Sequence, residues 1–138
     1  MQMKMKKVEA IIRPEKFDDV KKALEECGIV SLTAYDVRGR GEQKGVTLQY
    51  RGKTVNVDLL PKTKIEIVVG EDKEKGCIAA IIQSARTGKP GDGKIFITAV
   101  ERCITVRSFE ESNGNVSGPN AKAIGERAEV TDNADQTT

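Results

Sequence analysis

Two segments of the sequence each join a strand pattern to a helix pattern, and this repeat limits the possible folds more than any other feature. Residues 8–14, VEAIIRP, alternate and are rich in branched side chains, which is typical of a strand. Pro14 suits the first position of a helix, and Gly28 its end. Residues 62–69 and 71–88 repeat this order. The apolar positions with helical spacing are Phe17, Val20, Leu24 and Cys27 in the first helix, and Cys77, Ile78, Ile81, Ile82 and Ala85 in the second.

A further strand pattern follows each helix, so the predicted order is βαββαβ. These strands cover residues 30–37 and 94–100, and a short fifth strand is predicted at 103–107. The order is that of an α+β, ferredoxin-like fold with a long loop between strands 2 and 3. Two helices can cover only one face of a four-stranded sheet, although the strands carry branched apolar residues on both sides. We therefore expect a symmetric oligomer that shields the uncovered face.

The connection at residues 39–62 is open to two interpretations. Its alternating stretches VTLQY and VNVDL flank a polar RGKT. Such a segment forms either a β-hairpin or a long mobile loop.

Residues 110–138 differ in composition from the rest of the 138-residue chain. They hold six acidic and two basic residues without a sustained apolar period, which predicts a disordered tail. Residues 1–109 are then one domain, with 21 basic and 15 acidic residues. The net charge of +2 for the whole chain conceals this excess of positive charge, which favours anionic ligands.

The stretch TGKPGDGKIFI at residues 87–97 resembles a phosphate-binding P-loop but departs from it in two ways. Gly88, Gly93 and Lys94 fit the spacing G-x-x-x-x-G-K, yet Ile95 stands where Mg²⁺ binding needs Ser or Thr. The turn also follows a helix and leads into a strand, so no helix N-terminus faces the phosphates. A nest of loop amides beside a lysine can still bind an anion. A plain turn between helix and strand is the equally weighted alternative.

A second glycine-rich basic segment, GRGEQKG at residues 39–45, also lies at a strand end. Its spacing is not that of a dinucleotide-binding fingerprint, and on its own it is a weak signal. Two such segments at strand ends suggest one shared anion site at a subunit boundary.

Enzymatic activity and RNA binding are the competing functions. The chain has no histidine and no Ser or Cys beside a recognisable base, so acid–base and nucleophilic catalysis have few candidate residues. RNA-binding sheets need exposed aromatic residues, and only Phe96 stands on a central strand pattern. We therefore predict that the protein is neither an enzyme nor a nucleic-acid-binding protein.

Cys27, Cys77 and Cys103 are odd in number and widely spaced, which fits neither a disulfide framework nor a metal site. Buried thiols in a reducing cytosol are expected. No uncharged apolar run approaches the length of a membrane span, so we expect a cytoplasmic protein.

The quoted motifs, together with IIRPEKFDDVKKALEECGI, YRG and VDLLPKTKIEIVV, resemble the PII nitrogen-regulatory signal-transduction proteins of the GlnB and GlnK kind. The resemblance extends over residues 5–108, and the GRGEQKG form is similar to archaeal GlnK-type members. It implies a homotrimer of ferredoxin-like subunits that binds ATP or ADP in the clefts between neighbours.

The resemblance also implies roles for individual residues. Thr33 and Val68 would meet the adenine, and Arg107 would reach the phosphates from the adjacent subunit. Mg²⁺ and 2-oxoglutarate would bind at Gln43, and Lys62 would pair with a carboxylate of that acid. The residues that would surround the phosphates are Gly91, Asp92, Gly93 and Lys94. Gly39 and Gly41 would also belong to the nucleotide-binding site.

The segment at residues 39–62 corresponds to the T-loop of the family. It would dock on an ammonium transporter through Tyr50 and Arg51, which would bring the protein to the membrane, or it would act on a nitrogen-assimilation enzyme such as glutamine synthetase. Because Val55 and Lys53 replace the tyrosine and serine that are modified in other members, covalent regulation at these two positions is excluded.

Two departures from the family pattern concern the nucleotide. Many members have arginines that face the phosphates where this chain has Glu42 and Thr105. Each charge-assisted hydrogen bond contributes about 1.5–3 kcal/mol, so this chain is expected to bind ATP more weakly unless Arg38, Arg40 or Arg102 compensates. The alternative function is therefore a nucleotide sensor that responds to ADP and ATP without 2-oxoglutarate and regulates a different target.

Overall fold

The computed structural model describes residues 3–41, 46–112 and 122–123. Two short 3₁₀ turns, Pro14–Lys16 and Glu71–Lys73, lead into the two helices. The strands and helices, in chain order, are β1 (Met5–Ile12), α1 (Phe17–Glu26), β2 (Thr33–Gly39), β3 (Val46–Tyr50), β4 (Lys53–Val57), β5 (Leu60–Gly70), α2 (Glu74–Ala85), β6 (Lys94–Val100), β7 (Glu110–Glu111) and β8 (Lys122–Ala123).

The main sheet has four strands in the order β2-β5-β1-β6, and every neighbouring pair is antiparallel. The central strand β1 pairs with β5 on one side and β6 on the other, so Val8 lies opposite both Ile67 and Ile97. Helices α1 and α2 pack against each other and against this sheet. The ferredoxin-like βαββαβ prediction is confirmed.

The hydrophobic core lies between the sheet and the two helices. In β1 and β5 every second side chain is buried, as expected for strands with one covered face. The core residues of these strands are Val8, Ala10, Ile12, Ile65, Ile67 and Val69. Val20 and Leu24 of α1 and Cys77, Ala80, Ile81 and Ala85 of α2 pack over them.

The face of the sheet that the helices leave uncovered is more polar than the sequence suggested. Its centre holds two lysines and two glutamates, Lys7, Glu9, Lys64 and Glu66, in an ion-pair cluster. Around this cluster lie exposed apolar side chains, including Val68 and Phe96, which are 42% and 46% exposed. Because β-strand side chains alternate, the sequence shows the two sets but not which lies beside which.

Several details differ from the sequence predictions. The strand predicted at residues 103–107 does not form, since only Ile104 makes a single bridge, to Glu111, and a turn follows. Cys27, expected on the buried face of α1, is exposed. The helix ends one residue earlier, and Gly28 takes a φ of +81°. Of the three cysteines that were expected to be buried, only Cys77 is buried, and Cys103 is half-buried.

The segment predicted as a hairpin or a mobile loop contains a two-stranded hairpin formed by β3 and β4. Its two central turn residues, Arg51 and Gly52, have φ values of +50° and +75°. Positive φ at both positions is the requirement of a type I′ turn, whose twist matches that of paired strands. We call this hairpin, residues 46–57, the arm.

Beyond β6 the chain forms a small second hairpin. The Thr105 N–H donates to the Glu110 carbonyl and the Ser112 N–H to the Cys103 carbonyl, and β7 pairs with β8. The rest of residues 110–138 lies outside the described part, so the disordered tail and the domain boundary stay predictions. Among the residues that the structure describes, no helix is long and apolar enough to cross a membrane.

Candidate functional site

The candidate site is built around the loop that connects α2 to β6. Helix α2 ends at Ala85, where Arg86 turns to an extended conformation. In residues 87–93, which we call the glycine loop, Gly88, Gly91 and Gly93 have φ values of +88°, +98° and +104°. Residues other than glycine rarely adopt such positive φ values. The loop therefore runs from a helix into a strand with a backbone shape that depends on its glycines.

Asp92 holds the glycine loop closed. Its Oδ2 accepts hydrogen bonds from the N–H groups of Thr87 at 2.9 Å and Gly88 at 2.8 Å. Its Oδ1 accepts from the Thr87 hydroxyl at 2.6 Å and from Arg13 Nε at 3.0 Å. These donors, the Thr87 hydroxyl above all, hold the pKa of the Asp92 carboxyl well below its usual range although partial desolvation opposes them. Asp92 therefore remains ionised, and both of its carboxylate oxygens accept hydrogen bonds that hold the loop.

Two cationic side chains at the end of the sheet contact the carbonyl groups of the same loop. Arg13 Nη2 donates to the Pro90 carbonyl at 2.7 Å, and Lys62 Nζ donates to the Gly91 carbonyl in a short hydrogen bond. Desolvation, followed by repulsion from Arg13, lowers the pKa of Lys62. Positive charge is therefore concentrated at one end of the sheet, where β1 ends and β5 begins.

Gly93 lies directly against the backbone of β1. A Cβ atom at this position would be 1.7 Å from the Ile11 carbonyl oxygen, a distance at which atoms overlap. Only glycine allows the chain to pass here. The close approach sets the distance between the glycine loop and the end of β1, where Arg13 follows.

Several predicted site residues are brought together at this end of the sheet. Gly91, Asp92 and Gly93 form the end of the glycine loop, and Lys94 begins β6. Lys62 contacts the loop directly. Gly39, at the end of β2, lies beside Lys62, because a Cβ on it would be 4.0 Å from the lysine Cγ.

The remaining predicted residues lie elsewhere. Thr33 and Val68 share the uncovered face on neighbouring strands, since Thr33 pairs with Glu66, two residues before Val68. Gly41 follows the end of β2. Arg107 is exposed in the turn of the C-terminal hairpin. Gln43 and Glu42 lie outside the described residues.

The predicted partner-binding residues are at the tip of the arm, apart from the loop. Tyr50 is 63% exposed, and the Arg51 guanidinium lies 5.4 Å from the centre of its ring. This contact is a cation–π pair, which orders the arginine without burying it.

Sequence reasoning missed two residues of the site, Arg13 and Thr87. Arg13 directly precedes Pro14 at the end of a strand, a position that suits an extended conformation. Thr87 and Asp92 are five residues apart across two glycines, and this short polar closure was the available signal. Neither pattern by itself identifies the contact between strand end and loop, which depends on the fold.

Two of the arginines considered as substitutes for missing phosphate contacts already have partners. Arg40 pairs with Asp58 at 3.3 Å, and Arg102 pairs with Glu111 at 3.2 Å. Both pairs are exposed and therefore weak, so they restrain these arginines little. Within the described part of the chain, no cluster of three or more His, Cys, Asp or Glu side chains could hold a metal ion.

In the ion-pair cluster on the uncovered face, two lysines pair with two glutamates, so the positive and negative charges balance. The Tyr35 hydroxyl donates to Glu66 in a short hydrogen bond, which raises the pKa of Tyr35 and lowers that of Glu66. A hydrogen bond to Glu9 raises the pKa of Lys64. The face that carries Thr33 and Val68 is thus polar at its centre.

Comparison with known proteins places this geometry in a family. The profile described as "Nitrogen regulatory protein P-II" matches residues 5–110. The chain is 54% identical over 108 residues to "Nitrogen regulatory protein P-II" of Pasteurella multocida, which covers 78% of this chain and 96% of that protein. It is 52% identical over 112 residues to "Nitrogen regulatory protein P-II 1" of Escherichia coli, with 81% of this chain and 100% of that protein covered.

The match includes both helices, all four strands of the main sheet, the arm and the glycine loop. It ends at Glu110, in the C-terminal hairpin. The chain belongs to the P-II family of nitrogen regulatory proteins.

Proposed function

We propose that the protein is a cytoplasmic, non-catalytic signal transducer of nitrogen status that binds ATP or ADP and 2-oxoglutarate and acts through its arm. ATP with Mg²⁺ and 2-oxoglutarate orders the segment at residues 39–62 in one shape, and ADP favours another. The target is an ammonium transporter, which recruits the protein to the membrane, or a nitrogen-assimilation enzyme such as glutamine synthetase. A ligand shifts such an equilibrium only by its difference in affinity for the two states.

The observation that carries this proposal is the shape of the glycine loop. Asp92 accepts three hydrogen bonds from Thr87 and Gly88 inside the loop and a fourth from Arg13 outside it. Arg13 and Lys62 also donate to carbonyl groups of the loop. A closed glycine turn with cations around it suits a polyphosphate, whose charge is met by lysine and whose oxygens accept from backbone N–H groups. Lys94 follows the loop directly and supplies a further cation.

A homotrimer completes the proposed site. The uncovered sheet face carries exposed apolar side chains beside its ion-pair cluster, which favours burial against other copies. Arg107 is exposed on the C-terminal hairpin and would contact the phosphates in a neighbouring subunit, while Thr33 and Val68 would contact the adenine.

A non-catalytic role agrees with the described ionisable groups. The Asp92 carboxylate is occupied by its four donors, and burial raises the pKa of the Cys77 thiol to about 11. A thiol with so high a pKa is a poor nucleophile at neutral pH.

One observation favours the alternative, a sensor of ADP and ATP without a 2-oxoglutarate response that regulates a different target. Lys62, the proposed partner of a 2-oxoglutarate carboxylate, already donates to the Gly91 carbonyl. Binding of the acid would have to replace this hydrogen bond. Glu42 and Thr105, which stand where many family members have phosphate-facing arginines, also favour this alternative.

Calorimetry with ATP and ADP, each with and without Mg²⁺ and 2-oxoglutarate, tests the proposal. The wild type should bind both nucleotides, and Lys94→Ala should lower ATP affinity at least about tenfold, since a charge-assisted hydrogen bond contributes about 1.5–3 kcal/mol. Lys89→Ala is the matched control, because it removes the same kind of side chain from an exposed position in the glycine loop, five residues before Lys94.

The outcomes separate the alternatives. If 2-oxoglutarate binds with ATP and Mg²⁺, the leading function holds. If nucleotides bind and 2-oxoglutarate does not, the sensor without it is correct. Absence of nucleotide binding by the wild type, or identical affinities for Lys94→Ala and the wild type, would show that the site is misassigned.

A further inference from the structure

Two successive carbonyl groups of the glycine loop are held by cations from outside the loop. Arg13 Nη2 donates to the Pro90 carbonyl at 2.7 Å, and Lys62 Nζ donates to the next carbonyl, that of Gly91. Arg13 follows the end of β1, and Lys62 lies near the start of the neighbouring strand β5. Both cations therefore approach the loop from the end of the sheet.

This arrangement determines the direction of the two peptide groups. In a planar trans peptide the C=O and the following N–H point in opposite directions. Because the cations hold the Pro90 and Gly91 carbonyls, the N–H groups of Gly91 and Asp92 point away from Arg13 and Lys62. Two successive N–H groups directed to one side form a concavity that suits an anion.

Arg13 also restrains the loop at a second point. The same guanidinium that contacts the Pro90 carbonyl donates from Nε to Asp92 Oδ1 at 3.0 Å. Asp92 in turn accepts from both Thr87 and Gly88 at the beginning of the loop. Both partners of the ion pair are only 24% exposed, so solvent competes less with this contact than with a surface pair.

We propose that Arg13 is a positioning residue for polyphosphate binding: it holds the glycine loop so that the N–H groups of Gly91 and Asp92 face the ligand. The guanidinium acts through the loop and does not itself contact phosphate. Lys62 acts on the next peptide in the same way, which links the proposed 2-oxoglutarate residue to the shape of the phosphate site. The inference rests on the proposed function, because it assigns a role in the same site.

Calorimetry with ATP and with adenosine, together with amide hydrogen exchange, tests this role in the full-length protein. Arg13→Gln should lower ATP affinity at least about tenfold, because loss of its charge-assisted hydrogen bonds releases the loop from the shape that binds the ligand. It should change adenosine affinity less than about twofold. The amides of Thr87 and Gly88 should exchange faster. Arg13→Lys, which keeps the charge but not the two-pronged contact, should give an intermediate ATP affinity.

Arg86→Gln is the matched control. Arg86 directly precedes the glycine loop and is exposed, and it is not among the described partners of Pro90 or Asp92. This variant removes the same charge close to the loop. It should leave loop exchange unchanged and reduce ATP affinity less than Arg13→Gln does.

Several results would overturn the inference. ATP and adenosine affinities that fall in parallel would show a general structural effect, and equal ATP affinities for Arg13→Gln and the wild type would show no role. Equal losses for Arg13→Gln and Arg86→Gln would show that only net charge matters. If the wild type binds no nucleotide, the proposed function fails, and unchanged loop exchange in Arg13→Gln would then separately disprove the positioning contact.

Discussion

The glycine loop and the arm both contain glycine and lysine, yet they differ in how the rest of the fold holds them. The glycine loop is held by Asp92, Arg13 and Lys62 against the end of the sheet. The arm is a two-stranded hairpin in which β3 and β4 pair with each other and, in the described part of the chain, with no other strand. Its tip residues Tyr50 and Arg51 are exposed. An isolated two-stranded hairpin is marginally stable in water.

The difference fits the proposed function, in which the loop binds the ligand and the arm responds to it. A preorganised loop binds a small anion with little loss of conformational entropy, whereas an arm with low stability of its own can be reshaped by a ligand or a partner. The strained backbone at Arg51 supports this view. A φ of +50° is uncommon for a non-glycine residue, and such strain is often retained for function.

The largest effect is expected from Gly93→Ala in the glycine loop. Its Cβ would be 1.7 Å from the Ile11 carbonyl oxygen at a φ of +104°, so either the loop or the end of β1 must move. We expect a loss of more than about 3 kcal/mol in the free energy of unfolding, measured by urea denaturation at fixed protein concentration.

Two other glycines serve as matched controls for that substitution. Gly88 and Gly52 also have positive φ, but a Cβ on either would meet no atom within 4 Å. Their alanine variants should lose only the backbone cost of about 1–2 kcal/mol. For Gly52→Ala, this loss of stability should be confined to the arm. A Gly93→Ala protein as stable as the Gly88→Ala protein would contradict the packing argument.

An intermediate effect, dependent on pH, is expected from Asp92→Asn. The Asn side-chain nitrogen would replace one carboxylate oxygen, so its N–H groups would face hydrogen-bond donors. The variant should therefore be less stable than the wild type at pH 7. Because the folded state depresses the pKa of Asp92, the stabilisation is present above about pH 4 and is lost as the pH falls towards 2. The difference between variant and wild type in denaturation curves should therefore shrink over that range.

The corresponding control lies at the base of the arm. Asp58 pairs with Arg40, but both side chains are more than half exposed. Asp58→Asn should change the free energy of unfolding at pH 7 by less than about 1 kcal/mol. Equal effects of the two substitutions would remove the contrast between the loop and the arm.

The smallest effect on stability is expected from Arg51→Asn at the tip of the arm. Asn tolerates the left-handed region better than Arg and is favoured before glycine in type I′ turns, so a gain of about 0.5–1 kcal/mol in hairpin stability is expected. Hydrogen exchange of the arm measures it. Under the proposed docking on an ammonium transporter, the same variant should lose inhibition of that transporter while binding nucleotides normally. Intact inhibition would count against docking through Arg51.

The sequence by itself determined the order of elements, the position of the glycine loop and the family. The period of apolar residues distinguishes strand from helix, and pairs such as Pro14 and Gly28 mark where elements begin and end. These are local properties. Boundaries were less exact: β2 begins at Thr33, three residues later than predicted, and the segment at 103–107 formed a turn region in place of a strand.

Only the tertiary structure decided how Asp92, Arg13 and Lys62 act. From the sequence, Asp92 was assigned to surround phosphates and Lys62 to pair with a carboxylate, and both assignments stay predictions. The fold shows in addition that Asp92 closes its own loop and that two cations donate hydrogen bonds to the loop carbonyls. The closure by Asp92 spans only four or five positions, but the contacts of the two cations join residues 29 to 79 positions apart. No local pattern encodes them, because they arise when antiparallel strands bring the end of β1 and the start of β5 beside the loop before β6.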